Sequence, residues 1–362
     1  MDFTISTLGS HSALDVSEGA KKEGFKTLVV AQKGREKTYL GPYKTRKHGK
    51  KEIGVVDELL LLDKFKDILK PANLEFMKKR NCIFVPNRSF AVYVGYDGIE
   101  KEFDIPVFGN KYLLRAEERD APKNQYHLME KSGVRTPTQF NSPKDINKLS
   151  IVKVSEAKRT YERAFFLASN YDEYVERSEA LIKSGKTTRE QLKAAKIEEY
   201  IVGAQFNLNF FYSPIYEELE LLGVDTRRQT NLDGYLRMPA DAQLDLLKMR
   251  QPSTIEVGHI ACTLRESLLE QVYEIGERFV HGVQKEYKNG LIGPFALQGA
   301  FVEEDGEKFI CFDVSLRMPG SPGTRFTPYS EYLHRESISF GRRIAMEIKE
   351  AKQKGKMDLI TT

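Results

Sequence analysis

Cysteine is scarce. The 362-residue chain has three, Cys82, Cys262 and Cys311, far apart and inside apolar runs. No C-x-x-C pair exists, so neither a zinc cluster nor a disulfide framework is indicated. Buried reduced thiols fit a cytoplasmic protein. Long apolar runs are missing too, and none approaches the ~18 residues needed to span a bilayer. The opening "MDFTISTLGSHSAL" has an acidic second residue and no apolar stretch of the signal-peptide kind,. Charge is nearly balanced: 56 basic and 52 acidic side chains leave +4. That small excess argues against a dedicated nucleic-acid binder and leaves room for a local anionic ligand. Internal repeats and low-complexity segments are absent. What remains is ordinary globular composition, 40% hydrophobic and 30% charged, in a chain long enough for two or three domains.

Strand and helix signals alternate over residues 1–120. "FTISTLG", "KTLVVAQ", "CIFVP" and "IPVFGN" read as four strands, the last after the Gly-rich "YVGYDGIE". "SALDVSEGAKKEG" has helical spacing with a glycine stop, and the cation-rich residues 35–52 read as an exposed loop. Such alternation predicts a parallel α/β sheet with ligand loops at the strand ends. A helix is expected over 122–133, then strands 151–154 and 164–168, then helices near 171–184 and 188–195. "NLNFF" alternates as a half-buried strand does,. "EELELLGVDTR" is a further strand, and residues 262–288 have a helical pattern. "GPFALQGAFV" and "KFICFDVSLRM" read as an antiparallel pair, and "SISFGRRIAMEIKEAKQ" as an amphipathic helix. The fold class is therefore α/β plus α+β, a Rossmann-like lobe followed by an α+β lobe.

Three constellations carry chemistry. Period-2 geometry puts Asp313 and Ser315 on one strand face, where Gln298 of the neighbouring strand can meet them. Oxygen ligands grouped this way suit Mg²⁺, which takes few protein groups and completes its shell with phosphates. Taken alone, the pattern is better read as ordinary polar residues on an exposed strand face. In "IEEYIVG" a carboxylate precedes an extended apolar segment that can read an adenine edge, or simply marks a surface-to-core transition. Lys153, inside "IVKV", is either an exposed strand residue or a phosphate ligand. The segment 155–163 after it, "SEAKRTYER", holds three cations, two carboxylates and no glycine. It is either a solvated tip or a cover for phosphates.

The order of these features resembles the ATP-grasp superfamily, and the likeness narrows. "TLGSHSAL", "PVFGNKYLLR", "IEEYIVG", "FFYSPIYEELELLGVDTR", "NLDG", "LRESLLEQVYEIGE" and "GPFALQ" resemble the PurP family of archaeal formate-dependent synthetases of 5-formaminoimidazole-4-carboxamide ribonucleotide (FAICAR). The likeness runs from about residue 4 to the last helix. It implies a preATP-grasp lobe over 1–120, a small ATP-grasp lobe over 121–205 and a large lobe with the metal site over 206–362. It also implies a ligase that uses ATP, with Mg²⁺ or Mn²⁺, to formylate 5-aminoimidazole-4-carboxamide ribonucleotide (AICAR) through formyl phosphate. The expected partners are AICAR, formate and ATP, with no nucleic acid or membrane, and a homo-oligomer of three or six copies.

The resemblance also assigns residues. His11, Ser12, Ser89 and Asn231 match substrate contacts. Glu198, Glu199, Tyr200 and Ile201 match the adenine hinge, and Gln205 the ribose contact. Gln298 and Asp313 match the metal positions, and Arg317 follows as a phosphate cation. Lys153, with Lys158, Arg159 and Arg163 of the glycine-free segment, is expected at the phosphates. Asn87 and Arg88 replace a family histidine and glycine. His127 aligns with a family lysine for which Lys123 is the nearby substitute, and Arg325 stands in a stretch that is Asn/Gly-rich in relatives. The departures keep two alternatives open: a paralogue with another acid or amine, or a nucleotide-binding regulator without catalysis.

Overall fold

The computed structural model describes residues 3–119, 121–154, 165–249 and 256–362, and the side chains of 229–232 are outside it as well. Lys158, Arg159 and Arg163, and the side chain of Asn231, therefore lie outside the described part. The first sheet is parallel, with order β5-β2-β1-β6. It comprises β1 (Thr4–Leu8), β2 (Lys26–Gln32), β5 (Glu58–Leu62) and β6 (Cys82–Val85), while β3 (Arg46–His48) and β4 (Lys51–Ile53) form a separate hairpin. β1 and β6 are buried along their whole length, as expected of parallel strands covered on both faces.

Two expectations need correction here, those for residues 35–52 and for "IPVFGN". Residues 35–52 are mostly exposed but contain the β3–β4 hairpin. "YVGYDGIE" belongs to two short helices, Arg88–Val94 and Tyr96–Lys101, hinged at Gly95 with φ 85°. "IPVFGN" makes only isolated bridges, Phe84 to Val107 and Phe108 to Thr361, and the fourth strand is β5. Pro106 has no N–H to give a ladder, and Val107 N–H donates instead to Thr362 O at 3.0 Å.

The second sheet, order β7-β10-β8-β9, is antiparallel. It contains β7 (Gln139–Phe140), β8 (Ser150–Lys153), β9 (Phe165–Ala168) and β10 (Lys196–Glu199). The third is a five-stranded antiparallel sheet, β13-β12-β11-β14-β15. Its strands are β11 (Ala204–Ser213), β12 (Glu218–Gln229), β13 (Glu256–Cys262), β14 (Gly293–Glu303) and β15 (Glu307–Ser315). β13 takes the start of the stretch expected to be helical, and the helix itself runs Leu269–Glu286. One face of the third sheet, with Leu208, Phe210, Val224, Phe295 and Leu297, packs with Val272, Phe279 and Val283 of that helix.

Two other helices join the ends of the sequence: α1 (Ala13–Lys22) and α2 (Phe340–Lys354). They cross at glycines. A Cβ on Gly19 would lie 2.1 Å from Arg342 N, and one on Gly341 would lie 2.1 Å from Asp15 O. Residues 340–351 thus share a core with Ile5, Val16, Ile83 and Val85 of the first lobe, although the resemblance counts them with the third. Asp15 is buried at this crossing, where its carboxylate accepts from Gly341 N–H at 3.3 Å. Burial pushes its carboxyl up to about 6 against the pull of Ser339 and Gly341. A carboxyl raised in the folded state costs stability as pH rises from its unfolded value through its folded one. Asp15→Asn is therefore expected to stabilise the protein by up to about 3 kcal/mol near pH 7, the gain fading toward about pH 4. Urea denaturation at both pH values checks this, and an equal gain at both would contradict it.

Candidate active site

The other face of the third sheet is polar. Ladder pairing aligns Ala261, Asp225, Asn207, Gln298 and Asp313 across all five strands. Alternation adds Gln205, Asn209, Arg227 and Ser315 to that face. Asp225, only 1% exposed, accepts from Asn207 at 3.1 Å, from Asn209 at 2.6 Å and from His259 Nδ1. His259 Nε2 lies 2.9 Å from Glu256. Burial works against the imidazolium, but the two carboxylates raise its pKa to about 9. Burial likewise works against the Glu256 carboxylate, and His259 and Arg227 hold it at about 2. Gln298 Nε2 donates to Ser315 Oγ at 3.0 Å, while its carbonyl accepts from Arg227 Nη2. A β-bulge follows the Gln298–Asp313 pair, a device that re-aims side chains at a site. Beyond it Ile201, Ala300 and Ile310 make a small apolar cluster.

Charged side chains from the other lobes gather at this face. Lys153, at the end of β8, is buried and pairs with Glu198 of β10. Its ammonium also donates to Phe312 O at 3.3 Å, tying the second sheet to the third. Tyr126 donates to Glu198 at 3.1 Å, and Arg119 Nη2 lies 3.9 Å from Asp313. Glu117 is a hub. It accepts from Arg88 at 2.9 Å and from Leu316 N–H at 2.8 Å, and Arg317 Nε lies 3.4 Å away. His11, at φ 23°, lies against Gly320, where a Cβ would meet the ring at 2.1 Å. Burial and then Arg317 hold its pKa below the usual value, so the ring is neutral near pH 7. A cavity of about 500 Å³ opens beside it, lined among others by Ser10, Ser12, Asp15, Tyr39 and Arg325. Buried Nε donors of Arg317 and Arg325 lack hydrogen-bond acceptors.

Not every expected residue converges. Lys123 is held by Glu286, 3.1 Å to the carboxylate and 3.0 Å to the backbone carbonyl, and His127 meets the same carboxylate at 2.9 Å. Glu199 turns to Lys148 at 3.2 Å, since it follows Glu198 on a strand and points the other way. Gln205 is exposed on the polar face. Ser12 donates to Pro319 O at 2.6 Å, and Ser89 to Ser10 at 2.8 Å. Asn87 braces the loop after β1, donating to Leu8 O at 2.9 Å and Ser10 O at 3.2 Å. Its departure from the family pattern, and that of Arg88, thus have structural partners.

Residues 5–140 match a protein family of unknown function, DUF1246, and residues 173–362 match a domain of unknown function, DUF1297. A curated relative from Methanopyrus kandleri, named 5-formaminoimidazole-4-carboxamide-1-(beta)-D-ribofuranosyl 5'-monophosphate synthetase, is 39% identical over 361 residues, 100% of this chain and 95% of the relative. The chain belongs to the FAICAR synthetase family. The crystal structure of an IMP biosynthesis protein PurP from Thermococcus kodakaraensis, 31% identical, superposes with a TM-score of 0.72 and covers 99% of this chain and 100% of that one. An N5-carboxyaminoimidazole ribonucleotide synthetase in its ADP complex shares the ATP-grasp fold at TM-score 0.58 and 11% identity, over 93% of this chain and 78% of that one. The fold is thus a Rossmann-like N-terminal domain followed by an ATP-grasp fold. No described helix is long and apolar enough to cross a membrane.

Proposed function

We propose that this ATP-dependent ligase joins formate to the 5-amino group of AICAR, giving FAICAR in purine biosynthesis. The observation that carries the reading is the single polar sheet face. It puts an apolar patch, a buried Lys153–Glu198 pair, the Gln298–Asp313 pair, Arg317 and the His11 cavity beside one another. The patch at Ile201 suits adenine, and Glu198 with its following backbone suits the adenine edge. Lys153 and Arg317 suit the phosphates, with Lys158, Arg159 and Arg163 proposed as their cover. The cavity at His11, Ser12 and Arg325 suits the ribonucleotide, with Ser89 bracing Ser10 on its wall and Asn231 proposed as a contact.

Mg²⁺ fits the donor set. Gln298 and Asp313 offer hard oxygens at paired positions, and among the described residues no cluster of three His, Cys, Asp or Glu forms a rival metal site. When bound it would neutralise phosphate charge. The chain's own groups do the rest. A formate oxygen attacks the γ-phosphorus and ADP leaves. The amine then attacks the formyl carbon, phosphate leaves, and the nitrogen loses a proton. Positioning and fixed cations supply most of the acceleration in such transfers. ADP release is expected to depend on formate, sustained turnover to need AICAR as well, and ¹⁸O from labelled formate should appear in the phosphate. ADP release indifferent to formate, or unlabelled phosphate, would overturn the reading.

A further inference from the structure

The cations around the polar face differ in how they are employed. Lys153 is taken by Glu198, Arg88 and Arg317 by Glu117, and His259 by Asp225 and Glu256. Arg317 has a further contact, donating to Met318 O at 3.4 Å. Arg227 differs at its outer edge. Its Nε, like that of Arg317, is buried without a hydrogen-bond acceptor in line, and lies 2.8 Å from Glu256 Oε2. Its Nη2 rests on the neutral carboxamide oxygen of Gln298. That oxygen is the one proposed above for the metal. A divalent ion placed there cannot share it closely with a guanidinium, because the two cations repel. Were a metal-bound nucleotide to take that oxygen, the outer edge of the Arg227 fork would be freed, while Glu256 would still hold its inner edge.

The released edge is well placed. The acid substrate has to lie between the γ-phosphate, over Gln298 and Asp313, and the amine, in the cavity beside His11. Arg227 touches Gln298 on one side. On the other, its partner Glu256 is near enough to influence the charge of His11. Arg227 combines this place with a donor edge resting on an uncharged group, whereas Arg119 lies at the other end of the pair, against Asp313 and Tyr126. A planar guanidinium matches the two oxygens of a carboxylate with two parallel hydrogen bonds, which an ammonium cannot do.

We propose that Arg227 is the acid-substrate anchor, binding the carboxylate of a small acid between the Gln298–Asp313 pair and His11. The assignment rests on the ligase reading above and names the residue that recognises its acid. It also implies order, with the carboxylate binding well only after the metal–nucleotide complex.

The test compares Arg227→Lys and Arg227→Met with the parent chain. Steady-state kinetics should show KM for formate raised at least about 30-fold in Arg227→Met, with KM for ATP and AICAR within about 3-fold. Arg227→Lys should fall between, and added guanidinium should partly restore Arg227→Met. Calorimetry should show formate binding in the presence of Mg²⁺ and a non-hydrolysable ATP analogue, much weaker without them, and lost in Arg227→Met. An unchanged formate KM in both variants overturns the assignment. So does an equal rise in all three KM values with a lowered melting midpoint, which marks a structural role. A parent chain that binds formate but does not turn it over would sink the ligase reading alone, and the calorimetric comparison would still judge Arg227.

Discussion

Asp313→Ala is expected to lower kcat by about 10³-fold or more, roughly 4 kcal/mol of transition-state stabilisation, in a protein that remains folded. Asp313 is paired in the ladder with Gln298 and is the carboxylate of the proposed metal pair. Its neighbour on the face, Asp225, is committed to His259, Asn207 and Asn209 and cannot substitute. Asp313 is partly exposed and Arg119 lies a loose 3.9 Å away; exposed ion pairs of that kind contribute about 0–1 kcal/mol to stability. Asp313→Asn should be intermediate, keeping an oxygen and losing the charge. Coupled measurement of ADP release, alongside a melting curve, checks this. Near-parental ADP release from the alanine variant would remove Asp313 from the site.

His259→Ala should have the largest effect on stability, about 3–5 kcal/mol. It leaves the Asp225 carboxylate buried with two amide donors and no cation. Arg227 is joined to the same group through Glu256, so activity should fall as well. His259→Gln, which can still donate to Asp225, should lose less. The sign of the pH dependence follows from a histidine raised to about 9. Its contribution is complete below about pH 6.5 and is lost as pH rises through about 9. Chemical denaturation of the parent should therefore show stability declining across that window, with the decline reduced in His259→Ala. A flat profile in both, or a loss under about 1 kcal/mol in His259→Ala, would contradict the buried-pair account.

The sequence made some of this site readable and hid the rest. The Gln298–Asp313 apposition could be read because both residues stand on neighbouring strands joined by one tight turn, where register is nearly forced. The alternation in Asn207–Phe211 also showed, yet its polar side belongs to the active face rather than to solvent. Asp225 and Arg227 carry the same period-2 signal, but nothing local tells which face of β12 meets Asn207. That depends on pairing with β11, and a bulge within β12 shifts the parity further along. His259 and Glu256 were hidden because β13 runs into a segment with helical spacing. Asn87 and Arg88 looked like substrate-site departures, and only the three-dimensional arrangement shows their partners to be the β1 loop and Glu117. Lys123 and His127 lay near the expected position in sequence, but Glu286 at the end of its helix claims both.

The glycine crossing of α1 and α2 has a consequence for the order of synthesis. Residues 4–30 leave the ribosome well before the helix that covers them, which is made more than 300 residues later. Thr361 and Thr362 then bond to residues 107–111. The first lobe cannot close its core while it is being made, whatever the local speed of its strands. Contacts so distant along the chain are slow to form, and the apolar surface they will cover stays open meanwhile. The nascent protein therefore passes through translation with this sheet half-dressed, and α2 acts as the seam that closes the first lobe.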